Sequence, residues 1–150
     1  MSNLIITLIS IILFACVVTS GISYVNQDRM NISQQASNLR NTVTQLESAV
    51  VAYNTTFGEY PTQVSDVIPQ FTSVPSFPTG TSLNSFVNNT TTNKRYYCFT
   101  VTKAPYNFQS FIQIQKERST GSIVISNTCG DSTSLGYDSL NSNFAVSFYL

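Results

Sequence analysis

The sequence predicts an α+β fold in which one long N-terminal helix packs on a small β-sheet head. Two observations predict the helix. Leu4–Val25 carries no charge, and from Ile32 to Phe57 an apolar residue recurs every three or four positions, the period of one helix face. A third observation predicts the sheet: the sequence after Glu59 is rich in aromatic and β-branched residues. No proline occurs before Pro61, so nothing interrupts the helix earlier.

The length of the chain leaves room for one soluble domain. Its 150 residues divide into an expected transmembrane anchor, residues 1–28, and an expected α/β domain, residues 29–150. Within the domain we expect a spine helix at 29–58 and a head at 59–150. The net charge is zero and 9% of the residues are charged, so we expect no nucleic-acid partner.

The apolar segment Leu4–Val25 is interpreted as a membrane anchor. Its 22 uncharged residues are enough to cross a bilayer, which makes the lipid bilayer the first expected partner. A cleaved signal peptide and a buried core helix are the alternatives. A signal peptide has a basic start and a small-residue cleavage site, whereas Met1–Asn3 is uncharged and Thr19–Gly21 matches such a site weakly.

Three small residues recur every four positions along one face of this segment: Ala15, Thr19 and Ser23. Small residues at that spacing let membrane helices approach closely, so the face is a candidate for helix association, including a homo-oligomer. The alternative is that the bilayer tolerates small residues there and they have no further role.

The amphipathic stem, residues 29–58, is predicted to pack on the head through its apolar stripe. The stripe widens after Leu46, so we expect the C-terminal half of the stem to be the more deeply buried half. A coiled coil with another chain is the alternative that the same spacing permits. Gly58 stands at the C-cap position. The predicted packing residues are Leu39, Val43, Leu46, Val50, Tyr53 and Phe57.

The end of the stem resembles that of a known family. The stretch AYNTTFGEYPT closes the helix with Tyr53, Gly58, Tyr60 and Pro61, as type IV pilins and pseudopilins do. Processed pilins also carry a basic leader and a Glu within the apolar helix, and this sequence has neither pattern. The chain is therefore more similar to the PilM-type small inner-membrane proteins of type IVb thin-pilus systems, which occur with conjugative plasmids.

That resemblance implies a single-pass protein of the bacterial inner membrane with its C-terminal domain in the periplasm. It also implies a structural role in pilus assembly, with other pilus-assembly proteins or pilins as partners. A minor pilin or pseudopilin built into the filament is one alternative, and a membrane-tethered cell-wall or carbohydrate-binding module is another. Arg29 and Arg40 after the apolar segment mildly favour a cytoplasmic head, whereas the composition and two cysteines favour the periplasm.

The strongest strand signal in the head is RYYCFTVT, residues 95–102. Residues 108–118 fit either a strand or a helix with Asn107 as N-cap and Gly121 as C-cap. We choose the helix, since the resemblance implies strand–helix–strand here. The remaining predictions are a short helix or turn at Thr62–Ile68, a loop at Phe71–Thr81, an undecided segment at Ser82–Val87, a polar tip at Asn88–Lys94, and strands at Ser122–Thr128 and Asn143–Leu150.

Cys98 and Cys129 flank strand-like sequence in the head. A disulfide between them is expected if the head is extracytoplasmic, and two buried thiols are the alternative. Cys16 lies in the apolar segment and is expected to act as a small apolar residue.

No catalytic residue, metal site or cofactor is predicted, and we expect the protein not to be an enzyme. The chain has no histidine, which excludes Ser-His-Asp and Cys-His arrangements. Two head cysteines without a histidine cannot complete a typical zinc site. The six glycines stand singly, so no phosphate-binding loop is present. The seven acidic residues are scattered along the chain and predict no carboxylate pair.

Overall fold

The computed structural model describes residues 2–89, 92–119 and 121–150, with side chains for 4–21 and for the described residues from 27 onward. The fold is α+β, as predicted: a long N-terminal helix and a small antiparallel sheet. The elements in chain order are α1 (Ser2–Phe57), α2 (Val64–Val67), β1 (Thr81–Asn89), β2 (Lys94–Thr102), α3 (Pro105–Glu117), β3 (Ile123–Ser126), a 3-10 turn (Tyr137–Ser139) and β4 (Asn143–Tyr149).

The helix α1 is unbroken for 56 residues, which corresponds to about 84 Å at 1.5 Å per residue. It ends at Phe57, where the sequence predicted its end. Gly58 follows with a φ of 74° and donates its N–H to the carbonyl of Asn54 at 2.8 Å. A glycine adopts this left-handed conformation without the strain that a side chain adds, so the predicted C-cap glycine is confirmed.

The burial of α1 differs from the expectation. Packing begins at Ala36, which is 0% exposed, and not in the second half of the stem. Val51 is 64% exposed and Ala52 is exposed too, so the prediction that the C-terminal half of the stem is the more deeply buried half is wrong. The physical reason is that the sheet and α3 lie on one side of α1, and a residue on its other side meets solvent however apolar it is.

The four strands form one antiparallel sheet in the order β1-β2-β4-β3. The last strand, β4, lies between β2 and β3 and is antiparallel to both. The strand–helix–strand unit β2–α3–β3 therefore has two parallel strands that are not neighbours. The undecided segment Ser82–Val87 belongs to β1, which carries an irregularity between Leu83 and Ser85. Thr90 and Thr91 of the predicted polar tip lie outside the described residues.

The helical interpretation of residues 108–118 is confirmed, but both predicted caps are wrong. The helix begins at Pro105, whose missing N–H costs nothing in the first turn, and Gly121 lies beyond its end. Asn107 is inside the helix and 7% exposed, and its amide donates to the carbonyls of Thr102 at 3.1 Å and Thr79 at 3.4 Å. Asn107 thus ties α3 to the segments around it.

The core lies between one face of the sheet and the two helices α1 and α3. Alternate residues of each strand point into it, and five fully buried aromatic rings form its centre. Tyr97 and Phe148 stack at 5.1 Å between centroids, while Phe99 meets the edge of Phe148 at 5.5 Å and lies 6.4 Å from Phe111. Such pairs contribute roughly 0.5–1.5 kcal/mol each beyond their buried area.

The segment after β3 lies across the other face of the sheet. Cys98 of β2 and Cys129 of this segment form a disulfide, as predicted, across 31 residues. Closing a loop of that length stabilises a fold by roughly 3–4 kcal/mol. The segment is held further by the Gly130 N–H, which donates to Ser147 Oγ at 2.9 Å, and by the Tyr149 hydroxyl, which donates to the carbonyl of Asp131 at 3.3 Å.

Gly130 provides a test of this packing. Its φ is 80°, and a Cβ added there lies 2.2 Å from Tyr96 Oη. Gly130→Ala strains the backbone and displaces Tyr96 from Tyr149, whose ring centroid is 5.3 Å away. We expect the free energy of unfolding to fall by about 1–3 kcal/mol, measured by urea denaturation of the full chain in detergent micelles.

The matched control for this substitution is Gly136→Ala. Gly136 has a φ of −76°, and a Cβ added there meets nothing within 4 Å. We expect a change within about 0.5 kcal/mol. Equal losses in the two variants contradict the packing described here.

Candidate functional site

The exposed apolar part of α1 is the first candidate functional surface. By length and composition, Leu4–Gly21 is sufficient to cross a membrane, and none of it is buried against the rest of the molecule. Its large side chains point outward on all sides: Phe14 is 73% exposed and Val17 is 69% exposed. Cys16 is a free, exposed cysteine. The segment offers an apolar surface around its whole circumference.

On the face formed by Ala15, Thr19 and Ser23, the described hydroxyl group is already hydrogen-bonded within α1. Thr19 Oγ1 lies 2.8 Å from the carbonyl of Ala15 and 3.1 Å from that of Cys16 and donates within its own helix. Ser20 Oγ likewise donates to the carbonyl of Cys16 at 2.8 Å. A second helix can therefore approach closely at this face, but the described hydroxyl groups are not available to donate a hydrogen bond to it. The side chain of Ser23, the third predicted residue, lies outside those described.

The predicted stem residues occupy different depths. Leu39, Val43, Leu46 and Val50 are at most 1% exposed and belong to the core. Tyr53 is half-buried. Phe57 is 56% exposed, and its ring lies 4.8 Å from that of Tyr53. The outermost two residues thus form an aromatic cluster at the end of the stem, where they also contact Phe71 at 5.6 and 6.0 Å.

A row of polar contacts joins α1 to α3 and to Arg118 directly after it, and we call this row the seam. The contacts advance along both helices together, so α1 and α3 run in the same direction. Starting from the apolar segment, they are Tyr106 Oη donating to Asp28 Oδ1 at 2.9 Å, Ser110 Oγ donating to the carbonyl of Ile32 at 3.3 Å, Arg40 with Glu117, and Arg118 with Glu47.

The two ion pairs of the seam differ in exposure. Arg40 donates to both carboxylate oxygens of Glu117 at 2.7 and 3.0 Å, but the side chains are 44% and 43% exposed. Exposed pairs contribute about 0–1 kcal/mol. Arg118 also holds both oxygens of Glu47, one of them at 3.1 Å, and these side chains are 26% and 33% exposed. Less water screens this second pair, so it couples stem and head more strongly.

Tyr97 connects the Glu47 end of the seam to the buried centre of the sheet. Its side chain is fully buried and its hydroxyl donates to Glu47 Oε1 at 3.5 Å. Burial raises the pKa of Tyr97 well above its usual value, and the Glu47 carboxylate raises it further while Arg118 opposes the shift. The hydrogen bond to Glu47 in turn raises the pKa of Arg118. Tyr97 is therefore neutral and Arg118 charged throughout the physiological range.

Open clefts without a charged lining residue lie on the stem and on the head. One of about 260 Å³ and one of about 290 Å³ lie along the stem and share Gln45. A third of about 270 Å³ lies beside Cys129. Amides, hydroxyls and single phenylalanines line them, so they suit hydrogen bonding to neutral polar groups.

The carboxylates that have contacts hold parts of the fold together. Besides the seam contacts of Asp28, Glu47 and Glu117, Asp66 accepts the backbone N–H groups of Thr62 and Gln63 at 3.0 and 2.9 Å. Among the residues that the structure describes, no group of three or more His, Cys, Asp or Glu side chains is placed to hold a metal ion.

The seam was missed in reading the sequence, although a signal for it exists. Arg40 and Glu47 are the only charged residues between Asn31 and Phe57, and they lie two helical turns apart on one face. Glu117 and Arg118 follow one another at the end of α3 with the complementary charges. Pairing the isolated charges of two amphipathic helices predicts these contacts.

Neither a family model, nor a curated protein, nor a solved structure matches this chain.

The two ion pairs give a test of the seam. Glu47→Gln leaves Arg118 without its charged partner in a half-buried position and weakens the contact to Tyr97, so we expect a loss of about 1–3 kcal/mol in the free energy of unfolding. The matched variant Glu117→Gln removes an exposed pair and is expected to cost less than about 1 kcal/mol. Urea denaturation compares them, and a larger loss in Glu117→Gln contradicts this ranking.

Tyr97 gives a test by pH. Because its pKa is raised in the folded state, its contribution to stability is fully present below the unfolded value of about 10 and is lost as the pH rises through the folded value. In a titration followed by tyrosinate absorbance, we expect Tyr97 to ionise at the highest pH of the eight tyrosines, together with unfolding of the head.

The absorbance step at the highest pH must disappear in Tyr97→Phe and remain in Tyr149→Phe. Burial raises the pKa of Tyr149 as well, but this side chain is partly exposed. A single transition of all tyrosines near pH ~10 in the folded wild-type chain contradicts the role given to Tyr97.

Proposed function

We propose that this chain is a structural component of the machinery that assembles a type IV thin pilus, anchored in the bacterial inner membrane with its head in the periplasm. The observation that carries the proposal is the continuity of α1, from Ser2 to Phe57. One unbroken helix has an apolar, unburied half and a second half that forms the spine of an α+β head. This is the arrangement that the resemblance of Tyr53, Gly58, Tyr60 and Pro61 to the pilin helix end implies.

The disulfide supports a periplasmic head. Cys98 and Cys129 are bonded in the structure, and disulfides persist in oxidising compartments such as the periplasm, whereas the cytoplasm keeps thiols reduced. The opposite bias of Arg29 and Arg40 is weaker than the disulfide, because that bias rests on two residues.

The seam supports a positional role. Contacts from Asp28 to Glu47 fasten the stem to α3 along five helical turns. Because α1 continues without a break into the apolar segment, the orientation of the anchor fixes the orientation of the head. A component of this kind serves an assembly by presenting its head and its exposed stem surfaces to neighbours at a set height and angle.

A minor pilin or pseudopilin is the second candidate. The observation that favours it is the outward apolar surface of Leu4–Gly21, which can pack among similar helices in a filament as well as in lipid. Against it, Leu4–Val25 contains no acidic residue, and the pilin resemblance implies a Glu there for docking into a growing filament. We therefore prefer a permanently anchored assembly component over a minor pilin or pseudopilin.

Deletion of the gene tests the proposed function. We expect cells without it to lose thin pili, seen by electron microscopy, and to lose mating in liquid, with both restored by the full-length chain. The control is Gly136→Ala, which leaves the fold intact and must restore both. Normal pili and normal liquid mating in the deletion strain contradict the proposal.

Mass spectrometry of sheared pili separates the two candidates. An assembly component remains in the membrane fraction at its full length. A minor pilin is found in the filaments with its N-terminus trimmed.

A further inference from the structure

The head comes close to the end of the membrane segment. Asp28 lies seven residues after Gly21, where the 18-residue span ends, and three residues after Val25, where the uncharged segment ends, so it is about 5–10 Å further along the helix axis. Tyr106 Oη donates to Asp28 Oδ1 at 2.9 Å, which places the first turn of α3 at the same level. The headgroup zone of a bilayer extends roughly 5–8 Å beyond the hydrocarbon core on each side. This end of the head therefore reaches the outer limit of the headgroups.

A rigid element sets this distance. The helix α1 has no break between Gly21 and Asp28, and the next seam contact follows directly, where Ser110 Oγ approaches the carbonyl of Ile32 at 3.3 Å. Moving the head away from the bilayer therefore requires bending a continuous helix or breaking the seam.

The residues at this end of the head form one connected surface, the membrane-proximal pole, made of residues 103–106 and 137–142. The backbone N–H of Lys103 donates to the carbonyl of Ser142 at 2.6 Å. Its Nζ donates to the carbonyl of Leu140 at 2.9 Å and lies 4.7 Å from the ring centroid of Tyr137. The two segments of the pole are thus joined to each other and to the start of α3.

The chemistry of the pole suits a headgroup layer. Tyr106 is 41% exposed and Tyr137 is half-buried. Tyrosine is enriched at membrane–water interfaces, because its ring is apolar and its hydroxyl is polar. The charges at this end balance, since half-buried Lys103 and exposed Arg29 are accompanied by the exposed Asp28 and Asp138. Such a surface is compatible with a zwitterionic headgroup layer, and the tyrosines supply its affinity for the interface.

We propose that the membrane-proximal pole rests on the headgroup layer of the bilayer that holds the anchor, with the Tyr106 ring in contact with lipid. This inference rests on the membrane anchoring in the proposed function. The space between pole and headgroups is smaller than the roughly 10 Å diameter of one helix with its side chains, so a folded partner does not fit there. The head is then held by a second lipid contact besides its anchor, which resists tilting.

The absence of tryptophan from the chain makes a direct test possible. Single-tryptophan variants of the full-length protein are placed in phosphatidylcholine vesicles that contain a nitroxide lipid, labelled either at the headgroup or deep in the acyl chain. Tyr106→Trp reports on the pole, and Tyr137→Trp is a second reporter there if the first variant fails to fold. Phe14→Trp reports on the anchor. Phe57→Trp is the matched control, since it lies 29 residues beyond Asp28 on α1, about 44 Å away.

We expect the headgroup-labelled lipid to quench Tyr106→Trp severalfold more than Phe57→Trp, and the deep label to quench Phe14→Trp most. If Phe14→Trp is quenched by the deep label while the pole variants match Phe57→Trp, the head stands clear of the bilayer and the inference is overturned with the anchor intact. If Phe14→Trp itself escapes the deep label, the anchor is wrong, and the inference falls together with the proposed function.

Discussion

Burial of one face of α1 against the sheet and α3 is the interaction on which the rest of the structure depends. Leu39, Val43 and Leu46 are at most 1% exposed, and each fully buried aliphatic side chain contributes roughly 1.5–3 kcal/mol. This packing converts half of a long helix into part of the head's core. Because the helix is continuous, it also fixes where the unburied apolar half points. The seam then sets the rotation of α1 against α3, since its charged groups pair in one register.

Features with a local cause were predictable from the sequence. The end of α1 follows from Gly58, β2 follows from a run of aromatic and β-branched residues, and the disulfide follows from two cysteines beside strands. A local rule failed where a second local signal overrode it: Asn107 is a good N-cap residue, but Pro105 two positions earlier starts the helix.

Features decided by tertiary geometry were not predictable. Nothing in the sequence of β4 says that it lies between β2 and β3, and the apolar character of Val51 does not reveal that no part of the head lies over it in the described structure. The seam was predictable in part. Its isolated charges are visible in the sequence, whereas their pairing depends on the parallel packing of two helices. In the same way, the exposed apolar half of α1 was predicted from composition, but the distance of the head from it follows only from the contact between Asp28 and Tyr106.

The proposed function requires that the N-terminal helix anchors the chain and that the head lies on the periplasmic side. An alkaline phosphatase fused after Leu150 tests it most directly, since Leu150 is 50% exposed at the end of β4 and this enzyme folds only where disulfides form. We expect an active, membrane-bound phosphatase fusion and an inactive β-galactosidase fusion at the same position. An inactive phosphatase with an active β-galactosidase places the head in the cytoplasm and contradicts the account.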